Sequence, residues 1–420
     1  MFRNLLFIVL LFASTTTIAQ TDTFRITTYN LLHYGRPQAN RYALKNTYLQ
    51  PILATIKPTI IGFNEIDTTF HSILDTLNTV MPYAMEHGGV HNTTNTDILD
   101  GLFWKSGKFK WIRDTIICNY IRDIVAYDLY YDDPLLGTTH DTVKIKVITA
   151  HFKSSDAVAD RVARDTETRR VMRYLDHLTD TINMVILGDF NLYKSSENAY
   201  QNLIATTNAL TRFNDPANRP GKWDGNDTFA VVHTQSPRLV QLSDQGASGG
   251  LDSRFDFVLL SSAMMNGWKG MKYIPNTYTS FGNDGLHYNK ALTDAPTHSV
   301  LPTSIIQALY SCSDHLPVYA DVAITPPLLL VPNSVSQLQH IRGQLSFQNP
   351  FGSTIYYQLN DAANAYSYKL VSMQGAVIQS GLLTAQAHEI SINNDLATGL
   401  YFIQIADNNG QVAVWKLVRQ

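Results

Sequence analysis

Residues Val185–Leu192 read V-I-L-G-D-F-N-L, and the interpretation of the whole chain starts from them. The apolar run that begins at Met184 predicts a buried strand, which ends at Gly188. Because side chains two positions apart in a strand point the same way, Asp189 and Asn191 should share one face. A carboxylate beside an amide suits a metal-bound phosphate. The same residue types also form ordinary turns through side-chain hydrogen bonds, so this stretch alone leaves both interpretations open.

The composition is that of a large and nearly neutral protein. The chain has 420 residues, which corresponds to roughly two to three domains. Hydrophobic residues make up 45% of the chain, and the formal net charge is -3. A charge this small attracts neither nucleic acid nor an anionic membrane at long range, which argues against a DNA-packaging role. It does not exclude a local basic groove.

The N-terminus has the pattern of a signal peptide. Arg3 precedes the unbroken apolar run Leu5–Ala13, and Thr17-Ile18-Ala19 offers small residues for cleavage. The run is much shorter than the roughly 20 residues that cross a membrane as a helix. We therefore predict a signal peptide over residues 1–20 and no transmembrane segment after its cleavage. Cys118 and Cys312 lie in apolar surroundings, which favours two buried free thiols, although pairing stays open.

Polar side chains recur at or just beyond the ends of apolar runs. The run Phe24–Leu32 delivers Asn30, and Thr59–Ile66 ends at Glu65. Another predicted strand ends at His151. Between the later runs, residues 214–251 form a long polar stretch of the kind that is usually functional or disordered.

Eight such residues together predict one shared site: Asn30, Glu65, His151, Asp189, Asn191, Asp256, Asp314 and His315. Each alone has an ordinary explanation as a turn former, a helix cap or an edge histidine. Their common position at strand ends favours a site over coincidence.

The residue types fit metal-assisted hydrolysis of a phosphoester. The hard oxygen ligands Glu65, Asp314 and Asn30 suit Mg²⁺, Mn²⁺ or Ca²⁺ and fit zinc poorly. A histidine held by a carboxylate, such as His315 beside Asp256, can deprotonate water or bind the phosphate as imidazolium.

Six motifs occur in the order of the endonuclease/exonuclease/phosphatase superfamily: F-R-I-T-T-Y-N-L-L, I-I-G-F-N-E-I, H-F-K-S-S, G-D-F-N, R-F-D-F-V-L-L-S and S-D-H-L-P-V. The chain resembles this superfamily over about residues 23–324. The resemblance implies an α/β (α+β) fold, a two-sheet α/β/β/α sandwich of the deoxyribonuclease I type, with the site at one edge of the sheets. We expect the catalytic domain to span residues 21–325.

The resemblance also implies a role for each residue. Glu65 would be the principal metal ligand, with Asn30 and Asp314 as further ligands. The catalytic set would be Asp189 as the carboxylate that orients or activates water, Asn191 as the phosphate-binding amide, His315 as the catalytic histidine, Asp256 as its orienting partner and His151 as a second histidine. A carboxylate should orient His151, and Asp97 or Asp100 is the candidate.

Three functions follow from these expectations. The preferred one is a secreted, metal-dependent phosphodiesterase that acts as a nuclease on DNA or RNA and is a monomer. A sphingomyelinase-like lipid phosphodiesterase is the alternative, for which Gly267–Pro275 is the only mild candidate for a membrane-seeking loop. A surface protein with an inactive catalytic fold is disfavoured because every expected catalytic position is filled.

The C-terminal part changes in composition after Pro326-Pro327 and contains short apolar runs separated by turns. We predict an all-β sandwich domain over residues 330–420. The segments Y-K-L-V-S-M-Q-G-A-V-I, I-S-I-N-N-D-L-A-T-G-L-Y-F-I-Q-I and W-K-L-V-R-Q resemble the sorting domain of type IX secretion in Bacteroidetes. This resemblance implies export through the periplasm and outer membrane by the type IX machinery, to the cell surface or beyond.

Overall fold

The computed structural model describes residues 22–36, 42–67, 73–89, 91–137, 140–327, 341, 344–360, 366–373, 375–384, 386–392, 396–407 and 412–420. The predicted signal peptide, residues 1–20, lies outside the described residues. The chain divides into two units, which comprise residues 1–328 and residues 329–420.

The first unit alternates strands and helices. Its described strands are β1 (Asp22–Tyr34), β2 (Ile60–Asp67), β3 (Met85–His87), β4 (Ile98–Lys105), β5 (Phe109–Asn119), β6 (Asp123–Tyr131), β7 (Lys144–His151), β8 (Asn183–Asp189), β9 (Phe213–Asn214), β10 (Asp256–Ser261), β11 (Met271–Tyr273), β12 (Thr279–Ser280) and β13 (Val318–Ile324). Its described helices are α1 (Tyr42–Ile56), α2 (Ile73–Asn78), α3 (Val158–Leu175), α4 (Asn198–Ile204), α5 (Ser262–Asn266) and α6 (Thr303–Cys312), with a 3-10 helix at Asp227–Val232.

These strands form two sheets. One has the order β11-β13-β1-β2-β4-β3, with β12 paired to β13, and the other has the order β5-β6-β7-β8-β10-β9. The central pairs β1–β2 and β7–β8 are parallel, whereas β13 runs antiparallel to β1 and β10 runs antiparallel to β8. The ends of the central strands that carry the predicted site residues therefore lie at one edge of each sheet.

Three apolar layers show how the sheets and helices stack. Ile26, Ile60 and Leu102 of the first sheet pack with Val147 and Leu187 of the second in one shared core. The other face of the first sheet packs on α1, α2 and α6. The outer face of the second sheet packs on α3 and α4. The predicted α/β/β/α sandwich is confirmed.

The long polar stretch 214–251 is an ordered part of this unit. Trp223 and Arg238 are fully buried within it. The Arg238 guanidinium donates to Asp244 at 2.9 Å and to the backbone carbonyl of Tyr310 at 2.7 Å. A stretch rich in prolines and glycines can be ordered in this way because buried side chains, rather than a regular backbone ladder, hold it.

Apart from helical residues at positions 341 and 344, the regular elements in the described part of the second unit are strands: β14 (Leu345–Phe347), β15 (Thr354–Leu359), β16 (Tyr366–Ser372), β17 (Val377–Leu383), β18 (Glu389–Ser391), β19 (Gly399–Ala406) and β20 (Val412–Arg419). They form a sheet of order β14-β15-β18 and a sheet of order β17-β16-β19-β20. Ile355 and Tyr357 of the first sheet share a core with Leu370, Ile403 and Leu417 of the second. The predicted all-β sandwich is confirmed.

Two smaller observations concern the cysteines and the membrane. Cys118 and Cys312 are both buried and are not paired with each other. Among the described residues, no helix has the length and apolar character needed to span a membrane.

Candidate active site

The pairing of β7, β8 and β10 sets three predicted residues in one row. His151 is the partner of Asp189 across the parallel pair, and Asp189 is the partner of Asp256 across the antiparallel pair. Neighbouring strands lie about 4.8 Å apart, so the pairing of the backbones alone sets the spacing of the three side chains. The second sheet thus contributes one wall of the site.

Irregular backbone in the first sheet supplies the opposite wall. The β1–β2 register shifts after Asn30, and the β2–β4 register shifts between Phe63 and Ile66. Glu65 lies within this second irregularity at φ 59°, a conformation that non-glycine residues rarely adopt. Such irregularities re-aim a side chain. Here the Glu65 carboxylate accepts hydrogen bonds from the Asn30 amide at 3.0 Å and from the His33 backbone N–H at 3.2 Å.

Two residues outside the predicted set bind the walls together. The Asn64 amide accepts a hydrogen bond from the Asp189 backbone N–H at 3.0 Å and donates to the carbonyl of Ala150 at 3.3 Å. The Ser313 hydroxyl donates to the Asn30 carbonyl at 2.7 Å and accepts from the His315 N–H at 3.1 Å. The segment that carries Asp314 and His315 is therefore fastened to the end of β1.

The predicted residues meet around one cavity of 380 Å³, a size within the range of small-ligand sites. Six of the eight predicted residues line it: Glu65, His151, Asp189, Asn191, Asp314 and His315. Asn30 and Asp256 lie just behind, each hydrogen-bonded to a lining residue. The structure therefore brings all eight into one site.

The lining also includes residues that the sequence analysis missed, among them His33, Arg122, Tyr193 and Gln235. The Arg122 guanidinium donates to the carbonyl of His151 at 3.3 Å and brings a positive charge to a wall that is otherwise acidic. Gln235 lies beside His315. Neither residue ends an apolar run, so the strand-end pattern could not have found them.

The predicted metal ligands are arranged differently from the expectation. Ligand atoms of Glu65, His151 and Asp189 all lie within 4.8 Å of one another. Asn30 instead uses its oxygen to accept from the Leu32 N–H and turns its amide hydrogens towards Glu65 and Asp189. In this arrangement Asn30 bridges the two carboxylates, and only Glu65 belongs to both the predicted set and the observed group.

Asp314, the third predicted ligand, accepts a hydrogen bond from the Ala247 backbone N–H at 2.7 Å through Oδ2. Its other oxygen, Oδ1, is buried without a hydrogen-bond partner among the described residues. A buried carboxylate oxygen without a donor is costly unless a cation or a water satisfies it.

The electrostatics of the site also favour a bound cation. Burial, together with the negative charges of Asp256 and Glu65, raises the pKa of Asp189 to about 7, although His315 acts in the opposite direction. Buried like charges are stabilised by a divalent ion, and carboxylate oxygens are the ligands that Mg²⁺ and Mn²⁺ prefer. The residues present therefore fit a divalent metal.

The pKa values of the two histidines are shifted in opposite directions. Burial lowers the pKa of His151 well below its ordinary value, and the nearby charge of Arg122 lowers it further. Burial also lowers the pKa of His315, but the carboxylates of Asp256 and Asp189 outweigh that effect and raise it well above the ordinary value. The pKa of His151 is thus lowered and that of His315 is raised, a separation typical of acid–base sites.

The orienting partners of these histidines also differ. Nδ1 of His315 lies 2.7 Å from Oδ2 of Asp256, as the resemblance implies. Nδ1 of His151 is buried and has no hydrogen-bond partner among the described residues. The expectation that Asp97 or Asp100 orients it is not met here. Asp97 instead accepts from Arg36 at 2.6 Å, and both oxygens of Asp100 are buried and unbonded in the described part of the chain.

Asn191 follows Asp189 at φ 50°, so the chain turns sharply after β8. Its backbone N–H donates to Oδ1 of Asp189 at 3.0 Å, and its side-chain amide donates to the carbonyl of Phe152 at 3.1 Å. G-D-F-N therefore forms a turn held by a side-chain hydrogen bond, and its Asp189 and Asn191 line the cavity, while the phosphate-binding role of Asn191 stays a prediction.

Comparisons with known proteins address the two units separately. Residues 347–420 match the family model described as the secretion system C-terminal sorting domain, which confirms the resemblance seen in the sequence there. No curated protein matches the sequence.

Solved structures match the fold. An endonuclease/exonuclease/phosphatase from Bacteroides vulgatus is 15% identical, with a TM-score of 0.46 over 72% of this chain and 99% of its own. TDP2 of D. rerio complexed with a single-strand DNA product is 13% identical, with a TM-score of 0.46 over 71% and 98% of the two chains. A mannosyl-6-phosphatase from Bacteroides thetaiotaomicron is 12% identical, with a TM-score of 0.43 over 71% and 99%.

At such low identities and TM-scores these likenesses assign no activity to the chain. The chain is similar to endonuclease/exonuclease/phosphatase proteins in its structure and carries, at residues 347–420, a match to the secretion system C-terminal sorting domain.

Proposed function

We propose that this protein is an exported, divalent-metal-dependent phosphodiesterase and that it cleaves DNA or RNA. One observation carries the proposal: a single cavity joins a histidine held by a carboxylate, a guanidinium and a group of buried carboxylates. The positive groups suit a phosphate, while the carboxylates suit a metal and an attacking water. The six ordered sequence motifs support the same chemistry.

Each of these residues has its own role in the proposed phosphoester hydrolysis. Asp256 holds the His315 ring, so that the protonated Nε2 can donate to a phosphate oxygen in the cavity. Arg122 adds a second positive charge beside that phosphate. Asp189 orients the attacking water and accepts its proton, for which a pKa near 7 is well suited.

Glu65 would hold the divalent ion, because it belongs both to the predicted ligands and to the observed group of ligand atoms. The ion, when bound, neutralises charge on the phosphate and on the leaving oxygen. Asn30 positions the carboxylates of Glu65 and Asp189 by donating a hydrogen bond to each.

The test is cleavage of plasmid DNA, RNA and sphingomyelin vesicles with Mg²⁺, Mn²⁺ or EDTA. His315→Ala should lower the rate by roughly 10²–10⁴-fold, the usual contribution of a positioned acid or base. The exposed His177, changed to Ala, is the matched control and should keep full activity. Lipid cleavage with intact nucleic acid would move the protein to the lipid phosphodiesterase class. Activity on none of the three, in folded protein, would contradict the proposal.

We also propose that the C-terminal unit directs export by the type IX route to the cell surface or beyond. The family match at residues 347–420 supports a sorting role. Detection of the protein in membrane-free culture medium or on intact cells, and its retention in the periplasm of a strain without that secretion system, would be the expected outcome.

A further inference from the structure

Gln235 is a polar residue in the cavity for which neither the strand-end pattern nor the family motifs provide a role. Its amide nitrogen lies 2.7 Å from Nε2 of His315 and 3.5 Å from Oδ2 of Asp314. Nε2 is the ring atom that faces the cavity, because Nδ1 is engaged by Asp256. Gln235 therefore occupies the hydrogen-bonding position that a substrate oxygen needs.

The backbone around Gln235 is part of the frame of the site. Its N–H and carbonyl exchange two hydrogen bonds of 3.0 Å with Ser253, and the Leu316 N–H donates to the Thr234 carbonyl at 2.8 Å. The Thr234 hydroxyl accepts from the Asp256 backbone N–H at 3.2 Å. The segment is thus bonded both to the strand that carries Asp256 and to the segment that carries His315. These bonds hold the backbone of Gln235 at a fixed place beside His315.

Orientation of the His315 ring does not require this amide. Asp256 already holds Nδ1 at 2.7 Å, and the Ser313 hydroxyl holds the His315 backbone. A group that served only to fix the ring would be redundant there and would block the reactive nitrogen. The half-buried Gln235 side chain lines the cavity, and its Oε1 makes no hydrogen bond within the described part of the chain.

We propose that Gln235 contacts the phosphate of the substrate. An oxygen that accepts from Nε2 of His315 lies about 2.8 Å from that nitrogen, which places it beside the Gln235 amide. The arriving phosphate displaces the amide from the ring, and a side-chain rotation brings its N–H onto a phosphate oxygen. A neutral donor suits this position, because a lysine or arginine beside Asp314 would form an ion pair instead. The inference rests on the proposed function and deepens it.

The experiment compares Gln235→Leu and Gln235→Glu with the wild-type protein. Glutamate can accept a hydrogen bond from a protonated His315 ring but repels phosphate, whereas leucine can neither donate nor accept and adds no charge. If Gln235 contacts phosphate, the glutamate variant should have the lower phosphate affinity and the lower activity of the two. If Gln235 only holds the His315 ring, the glutamate variant should be the more active of the two. The matched control is Gln241→Leu, an exposed glutamine of the same stretch whose amide donates to backbone carbonyls.

Two readouts are used, both with Mg²⁺ present: calorimetric binding of inorganic phosphate and steady-state cleavage of bis(4-nitrophenyl) phosphate. Gln235→Leu should weaken phosphate binding and lower kcat/KM by about tenfold, as expected for a hydrogen bond to a charged group. Gln235→Glu should lose more, while the melting temperature and the Gln241→Leu control stay at wild-type values.

Activity and phosphate affinity of both Gln235 variants within twofold of wild type would overturn the inference and leave the proposed function standing. A glutamate variant that outperforms the leucine variant would overturn it as well and assign Gln235 to ring positioning. Wild-type protein that neither binds phosphate nor cleaves any diester would overturn both proposals.

Discussion

At the scale of single residues, the protonation of Glu167 on α3, which holds the segment after His151, makes the stability of the folded protein depend on pH. Its Oε2 accepts the Lys153 backbone N–H at 3.0 Å, and the side chain is fully buried. Burial raises its pKa from 4.5 to about 7, against the opposing effect of the Lys153 N–H and of nearby arginines. The folded protein therefore binds this proton more tightly than the unfolded chain does, and its stability falls as pH rises from about 4.5 to about 7.

Replacement of Glu167 by Gln should remove this pH dependence, because Gln keeps the acceptor for Lys153 without ionising. Relative to wild type, the variant should gain about 3 kcal/mol of unfolding free energy between pH 5 and pH 8. Urea unfolding at the two pH values measures the change. An equal difference between variant and wild type at both values would contradict the assigned protonation.

Residue types and strand ends were enough to predict which side chains meet, because a strand that stops at a sheet edge delivers its last polar residue there. Asn64 lies within one of the six motifs and was given no role there, yet it hydrogen-bonds across the two sheets. Gln235 and Arg122 could not be predicted, since both lie in segments whose positions depend on contacts with distant parts of the chain. The expected hydrogen bond from Asp97 or Asp100 to His151 is absent among the described residues, where Nδ1 of His151 has no partner.

At the scale of elements, the β7–β8 pair depends on Gly188. This residue has φ 142°, and a Cβ added to it would lie 1.8 Å from the carbonyl oxygen of Ala150. Gly188→Ala must therefore push apart the strands that carry His151 and Asp189. We expect a loss of at least about 3 kcal/mol in unfolding free energy, together with most of the activity.

The matched control for this change is Gly107→Ala. Gly107 also has a positive φ, 71°, but nothing lies within 4 Å of an added Cβ. Only the conformational cost of roughly 1–2 kcal/mol remains there. Thermal unfolding and diester cleavage separate the two variants. Equal effects would show that close strand contact at Gly188 is unimportant.

The turn after β1 is held from behind by α1. Lys45 is buried on that helix, and its ammonium donates to the carbonyls of Leu31 and Leu32. Leu32 and His33 both have positive φ, 48° and 52°, which costs free energy in residues with a side chain. The ammonium compensates this cost and keeps the His33 N–H directed at Glu65.

Lys45→Met should lower the unfolding free energy by about 2 kcal/mol and weaken Mg²⁺ binding, because the turn that places Asn30 and Glu65 loses its support. Calorimetric titration with Mg²⁺ and thermal unfolding measure the two effects. Lys57→Met, at an exposed position just after α1, should change neither. Mg²⁺ affinity equal to that of wild type in the Lys45 variant would contradict this role of α1.

At the scale of the whole molecule, each unit has its own core, and the residues of the candidate site all belong to the first. Deletion of residues 329–420 should therefore leave the rate of diester cleavage within about twofold of wild type while it abolishes export. Purified protein measures the rate, and cell fractionation measures the location. Loss of activity in a folded truncated protein would assign a catalytic contribution to the C-terminal unit.

The order of strands and helices, together with the family motifs, was sufficient to predict both sandwiches. The short strands β9 and β12 were not predicted, because two residues carry no periodic pattern and pair only where the fold places them. The sequence also did not predict that the stretch 214–251 has a defined structure. It depends on buried side chains such as Trp223 and Arg238, whose surroundings come from distant parts of the chain.

The strand that pairs with β1 on the side away from β2 is also the last described strand of the first unit. β13 pairs with β1 and is preceded directly by Asp314 and His315, so a chain released only up to residue 312 lacks both residues and the partner of its first strand. The candidate site is therefore complete only after the whole first unit has been synthesised. A chain that ends at residue 312 should not cleave a diester, whereas a chain that ends at residue 328 should. Assaying the two side by side tests this.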